Sequence, residues 1–206
     1  MKVEGEHIFK GTPKQVWDLF RDTEVMAAAL PGTRKMEYIG DNKYEAVMNV
    51  RVGPVMGEFS GNLIISNENF PETYTMTVEG RGKPGFLKGT GDIILSDQGD
   101  HSTLMKYTGE VQIGGKLAGV GQRLIDTVSK SIINQAFDTL DEVLAERSMA
   151  KAEGREAEYQ GASEKDYAAT VAKDLMGGIL SAPWVKWAVG VGILLVIGLI
   201  LLLSLT

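Results

Sequence analysis

Between residues 34 and 113 apolar side chains recur at every second position, and from residue 116 the spacing changes to three and four. A period of two belongs to strands with one buried face and a period near 3.6 to an amphipathic helix, so this chain must fold as a sheet closed by a helix. Turn-forming clusters at Gly40-Asp41-Asn42, Gly53-Pro54, Phe70-Pro71, Lys83-Pro84-Gly85 and Gln98-Gly99-Asp100 divide the strand region into segments near 34–40, 43–52, 55–69, 72–82, 86–96 and 102–113. One face collects Tyr44, Ala46, Met48, Val50, Val55, Phe59, Leu63, Ile65, Tyr74, Met76, Val78, Ile93, Leu95, Met105, Tyr107, Val111 and Ile113. The other collects Glu45, Asn49, Arg51, Glu58, Asn62, Thr75, Thr77, Glu79, Lys88, Asp92, Lys106, Glu110 and Gln112. This pattern predicts a curved antiparallel sheet that is wet on one side. Leu117, Val120, Leu124, Val128, Ile132, Phe137, Leu140 and Leu144 then form the apolar stripe of a single long helix predicted over 116–147.

Upstream, residues 3–10 read as a short strand. Thr12-Pro13-Lys14-Gln15 has the form of a capping box with proline at the first helical position, which predicts a helix from Pro13 to about Arg21. A second short helix over 23–30 stops at Pro31-Gly32. The fold class is therefore α+β.

Composition excludes several functions. Lys and Arg total 21 against 27 Asp and Glu, a net charge of −6, which leaves no basic footprint for nucleic acid. With no cysteine and 2 histidines the chain offers no thiolate nucleophile, no disulfide framework and no ordinary zinc site. Neither His7 nor His101 sits in a motif that supplies a positioned acid–base partner, so no catalytic residue and no metal is expected.

Residues 187–206 contain no charged side chain, and at about 1.5 Å rise per residue they make a helix on the order of 30 Å long, the thickness of a hydrocarbon core. Trp184, Lys186 and Trp187 precede this stretch as an interfacial belt and a snorkelling cation would, so a C-terminal transmembrane anchor is expected over 183–206. The N-terminus lacks the apolar core of a secretory signal, and Lys173 and Lys186 lie before the span, which places the domain on the cytoplasmic side of the inner membrane. Residues 148–182 are rich in Ala, Glu, Lys, Gly and Ser and read as a linker, reaching roughly 30–35 Å if flexible. The alternative is that 148–159 continue the preceding helix, since Ala, Glu and Arg are good helix formers.

Strand, two short helices, six strands and one long closing helix resembles the helix-grip order of the START and Bet v 1 superfamily. More closely, Leu30-Pro31-Gly32, Val52-Gly53-Pro54-Val55, Phe59-Ser60-Gly61 and the run Val111-Gln112-Ile113-Gly114-Gly115-Lys116-Leu117-Ala118-Gly119-Val120-Gly121-Gln122-Arg123-Leu124-Ile125 are similar to the CoxG family of carbon monoxide dehydrogenase proteins over residues 1–147. The resemblance implies an accessory protein, not an enzyme, of an aerobic molybdenum carbon monoxide dehydrogenase complex. Such a protein attaches that enzyme to the cytoplasmic membrane and handles its lipid-soluble electron acceptor, a menaquinone or ubiquinone.

A sheet gripped by a helix leaves an apolar pocket between the two. Its candidate lining is Leu30, Met48, Val50, Val55, Phe59, Gly61, Leu63, Tyr74, Met76, Val78, Phe86, Gly91, Ile93, Met105 and Tyr107 from the sheet side, with Leu117, Val120, Leu124 and Val128 from the helix. The chain holds 25 glycines where an average one of 206 residues has about 14. Those at 57, 61, 80, 82, 89, 91 and 109 fall on the inward face, where they either widen a cavity or let the strands bend. Met48, Met76 and Met105 supply an adaptable lining or simply fill a core. Two other readings stay open on the residues alone, a small cyclase-like enzyme of the same fold and a purely structural recruitment factor.

Overall fold

The computed structural model describes residues 1–154. In chain order they form β1 (Lys2–Phe9), α1 (Pro13–Leu19), α2 (Thr23–Ala29), β2 (Thr33–Gly40), β3 (Lys43–Val52), β4 (Val55–Asn69), β5 (Thr73–Gly82), β6 (Gly85–Asp97), β7 (Thr103–Gly115), a 3-10 turn (Ala118–Val120) and α3 (Gln122–Glu153). The strands make one curved antiparallel sheet in the order β1-β7-β6-β5-β4-β3-β2. Six consecutive strands meander by short turns, and β1 completes the sheet at the β7 edge, in register from Lys2 opposite Glu110 to Phe9 opposite Thr103. Each sequence-predicted strand is present to within a residue or two, because the turns fall on Gly, Pro, Asn and Asp where the alternation breaks.

Local chemistry fixes how the chain crosses from β1 to β2. Thr12 caps α1 by accepting from the Gln15 amide at 3.4 Å, and Gln15 Oε1 accepts from the Thr12 amide at 2.9 Å, which completes the capping box. Asp22 caps α2: its Oδ1 accepts from the amides of Glu24 at 3.1 Å and Val25 at 3.2 Å, while its Oδ2 accepts from Arg147 on α3 at 2.5 Å. Partial burial raises the Asp22 carboxyl. The Arg147 hydrogen bond and the two amides outweigh that effect and hold it below its ordinary 3.8. A carboxyl lowered in the folded state stabilises the fold above the unfolded value, and that contribution is lost as pH falls through the folded value. Asp22→Ala should therefore cost about 1–2 kcal/mol at neutral pH, a cap plus a half-exposed ion pair, and the difference from the unmodified protein should shrink in urea melts carried below pH 4.

The helix that closes the sheet is displaced from the stretch predicted for it. Gly121, at φ +92°, holds a left-handed conformation that ends the 3-10 turn, so α3 starts at Gln122 rather than at 116. It continues past Arg147 to Glu153, with Ala150 buried and Gly154 in a left-handed C-cap whose amide donates to the Ala150 carbonyl. The expected linker thus loses its first residues to the helix. Residues 155–182 of that linker and the expected anchor at 183–206, with Trp184, Lys186 and Trp187, lie outside the described residues. Among the described residues no helix is long and apolar enough to cross a membrane.

The core is divided in two. A larger cluster joins α1, α2 and the C-terminal half of α3 to the sheet through Phe9, Val16, Trp17, Leu19, Phe20, Val25, Met26, Ala29, Tyr74, Leu95, Leu140, Val143 and Leu144, all nearly inaccessible. A smaller one joins Val52, Phe59, Leu117 and Val128 at the end of the sheet where the β3–β4 and β5–β6 hairpins turn, with Val55, Val120 and Leu124 packed on it.

Candidate functional site

Between these two clusters lies a cavity of about 500 Å³. The sheet contributes Val3 from β1, Met36 from β2, Ala46, Met48 and Val50 from β3, Phe59 and Leu63 from β4, Met76 and Val78 from β5, Leu87 and Ile93 from β6, and Met105, Tyr107 and Val111 from β7. Phe20, Met26, Leu30 and Thr33 close one side, Leu117 another, and α3 covers the top with Ile132, Ile133, Ala136, Phe137 and Leu140. Alternation delivers this lining, since inward positions on adjacent strands stand in register: Tyr44, Leu63, Val78, Gly89 and Val111 form one row across the sheet, and Ala46, Gly61, Gly80 and Leu87 the next.

Glycines make the floor. Gly61, Gly80, Gly89, Gly91 and Gly109 all line the cavity, and beside them the outward-facing Ser60, Asn62, Glu79, Thr90, Asp92 and Thr108 reach it through their main chain. The two readings of these glycines separate by position. A Cβ at Gly61 would run into the Glu79 carbonyl and stand 2.7 Å from the Gly80 Cα, and one at Gly109 would stand 2.8 Å from the Thr90 carbonyl, so these residues permit close strand approach. A Cβ at Gly80 meets nothing nearer than the Ser60 carbonyl at 4.0 Å, so Gly80 leaves volume free.

Several expected lining residues are elsewhere. Val55, Val120, Leu124 and Val128 belong to the smaller cluster that closes the cavity at the hairpin end, because the first turns of α3 pack on the hairpins rather than over the sheet centre. Tyr74 is 1% exposed within the larger cluster, edge-on to Trp17 at 5.1 Å, and burial pushes its phenol well above the ordinary range against the opposing charge of Arg21. Phe86 shares its parity with Lys88 and Asp92 and so faces outward, 45% exposed, its ring across Gly114. Leu30, Met48, Val50, Phe59, Gly61, Leu63, Met76, Val78, Gly91, Ile93, Met105, Tyr107 and Leu117 do line the space. Sequence reading missed the later helical residues Ile133, Ala136, Phe137 and Leu140, although Phe137 and Leu140 lie on the amphipathic stripe already recognised.

Polar side chains are few. Tyr107 lies across Gly5 on β1 and edge-on to Phe137 at 5.8 Å, and burial raises its phenol. Thr33 lines the cavity, but its hydroxyl is buried away from that space and has no hydrogen-bond partner. Glu79 and Asp92 turn their carboxylates to the outer face, to Lys88 at 2.6 Å and Thr75 at 2.8 Å. His7 and Asp141 pair at 2.7 Å, His7 stacked on Phe137 at 4.7 Å, but neither lines the cavity. An unpartnered hydroxyl in an apolar wall is costly unless something accepts from it. Thr33→Val should therefore leave stability unchanged or raise it by up to about 1–2 kcal/mol in thermal melts.

A curved antiparallel sheet closed by a long helix around an apolar cavity defines a START-like helix-grip protein, and solved structures agree. A conserved protein from Geobacillus kaustophilus is 29% identical with a TM-score of 0.68, over 71% of this chain and 97% of its own. An aromatase/cyclase from a Streptomyces species (12%, TM-score 0.54, 72% and 95% covered) and a START superfamily protein from Mycobacterium smegmatis (11%, 0.52, 68% and 94%) share the fold. No curated protein matches the chain. The family described as the CoxG subunit of carbon monoxide dehydrogenase matches residues 5–145, and the chain belongs to that family. It is an accessory protein associated with carbon monoxide dehydrogenase, built as a helix-grip fold around an apolar cavity.

Proposed function

We propose that this protein takes a lipid-soluble quinone into its cavity and presents it to a membrane-recruited carbon monoxide dehydrogenase as electron acceptor. The observation that carries the reading is the 500 Å³ space itself, walled by Met, Val, Leu, Ile and Phe and floored by main chain. The volume falls in the ~300–1,000 Å³ range of small-molecule sites. At the roughly 30 Å³ that a water-sized group occupies, it holds about 17 non-hydrogen atoms, enough for a quinone head of about 13 and most of its first five-carbon isoprene unit. Burial of apolar surface is favourable by about 25 cal/mol per Å², so moving a quinone from lipid is near neutral only into an equally apolar site, and this lining meets that condition.

Oxidation of carbon monoxide with water to carbon dioxide releases two electrons and two protons, and a quinone takes up both to become a quinol. That chemistry belongs to the dehydrogenase. In the carrier, the cavity is walled almost wholly by apolar side chains, which supports a binding role. A membrane span at 183–206 would keep the carrier at the cytoplasmic face of the inner membrane beside its source of quinone. The test is carbon monoxide-dependent reduction of vesicle-borne quinone by the purified dehydrogenase, with and without the full chain. The proposal expects quinone reduction to depend on the chain and reduction of a soluble dye not to. Equal quinone reduction without it would contradict the proposal.

A further inference from the structure

The β3–β4 and β5–β6 hairpins, the end of β7 and the start of α3 meet at one end of the molecule. A Cβ at Gly57 on β4 would stand 2.6 Å from Pro84 of the neighbouring turn, the Leu117 amide donates to the Pro84 carbonyl at 3.1 Å, and a Cβ at Gly53 would stand 2.8 Å from Leu124 of α3. On the outer face of this end lie two cross-strand pairs, Arg51 opposite Met56 and Arg81 opposite Phe86. Met56 is 60% and Phe86 45% exposed, both at hairpin ends. Lys83, Lys116 and Arg123 add exposed cations there. Of the nearby acids, Glu58 pairs with Arg34 at 3.9 Å, Glu79 pairs with Lys88 at 2.6 Å and also feels Arg81, and Asp126 accepts from Gln122 at 2.8 Å. Among the described residues, Arg51, Arg81, Lys83, Lys116 and Arg123 have no carboxylate within ion-pair distance, in a chain whose net charge is −6.

We infer that this hairpin end docks on the surface of an anionic lipid bilayer, with Met56 and Phe86 entering the headgroup region among the cations. The inference deepens the quinone-carrier reading, and rests on it, by naming the surface through which the carrier meets its source. Two apolar tips ringed by cations suit shallow insertion into an anionic interface. They are too small and too scattered for a stable protein interface, which needs about 800 Å² on each partner. The position fits the ligand as well: behind these tips the smaller cluster of Val52, Phe59, Leu117 and Val128, with Val55, Val120 and Leu124 packed on it, lies at this end of the cavity. A docked molecule would set that cluster against lipid. At about 1.5 Å per residue the 32 residues of α3 put its C-terminus on the order of 48 Å away. The chain from residue 154 to 183 has a contour on the order of 100 Å, so a span at 183–206 still permits this end to reach the bilayer.

The absence of cysteine makes the test direct. Met56→Cys and Phe86→Cys, each in the full chain, would carry an environment-sensitive fluorophore, with Ile94→Cys as control: Ile94 shares the outward parity of Phe86 on β6, is 46% exposed and lies away from the hairpin end. Each labelled chain would be reconstituted into phosphatidylcholine vesicles, with or without phosphatidylglycerol, that contain a spin-labelled quencher lipid. Docking predicts quenching at 56 and 86 but not at 94, only with phosphatidylglycerol, and lost in high salt. Each cation near an anionic surface contributes roughly fivefold, so Arg81→Gln with Lys83→Gln should lower the docking equilibrium constant about 25-fold. Equal quenching at all three positions, indifference to phosphatidylglycerol, or protection at 56 and 86 only when the dehydrogenase is added would overturn the inference, the last by revealing a protein partner. Native mass spectrometry of the same variants for bound quinone keeps the two readings apart, because docking without quinone defeats the carrier and quinone without docking defeats the dock.

Discussion

Gly80→Leu is expected to weaken quinone binding by about 5-fold to 150-fold while the protein stays folded. The site is open, with nothing within 4 Å of a new Cβ except the Ser60 carbonyl at that limit, so the added side chain enters the cavity rather than a neighbouring strand. Four extra carbons occupy on the order of 100 Å³, about a fifth of the 500 Å³ available. A ligand forced into the remainder meets the usual cost of overpacking, about 1–3 kcal/mol, which is the range of affinity loss given. In the free protein leucine replaces a residue that weakens strands and gains apolar contacts, so the melting temperature should hold or rise. Titration of the detergent-solubilised chain with a short-chain quinone, beside a thermal melt, reads both effects. A filled core would give the opposite pair of results, unchanged binding and a lowered melting temperature.

At Gly61, one strand away, even alanine should unsettle the fold. Its Cβ would collide with the Glu79 carbonyl and stand 2.7 Å from the Gly80 Cα. Both obstacles are main chain, and both belong to the register that holds β4 to β5. Neither can swing aside as a side chain does. Gly61→Ala should therefore cost roughly 3 kcal/mol or more, which for a domain of this size lowers the melting temperature by at least about 6–12 °C. Gly80→Ala should cost nothing measurable. A small effect at both positions would show that the sheet relaxes more easily than these contacts imply.

This contrast also shows where sequence reasoning stopped. Strand ends were legible because each hairpin carries a Gly, Pro, Asn or Asp cluster at the point where alternation fails. Phe86 could have been placed correctly too, since it shares parity with Lys88 and Asp92, residues already assigned to the outer face. The start of α3 was not legible, because the apolar stripe runs unbroken through Leu117 and Val120 and only the left-handed Gly121 divides it. Nor does the stripe distinguish Leu124 and Val128, which seal one end, from Phe137 and Leu140, which roof the cavity. All are apolar at helical spacing, and which of them faces a void depends on how far the hairpins reach along the helix. Thr33 escaped notice because a hydroxyl at a strand start is ordinary, and only its missing partner marks it. The family resemblance was carried by short glycine-rich runs, and those runs lie at the hairpin end and at the sheet-to-helix junction.

The account turns on the cavity holding a quinone, and the most direct measurement is the lipid that leaves a quinone-containing membrane with the protein. The full chain and its Gly80→Leu variant, purified in parallel in mild detergent, would be examined by native mass spectrometry and their bound lipids released and identified. The account predicts a quinone enriched far above its share of the membrane, approaching one per chain, and largely lost from Gly80→Leu. Quinone present only in proportion to bulk lipid, or held equally by both proteins, would contradict it.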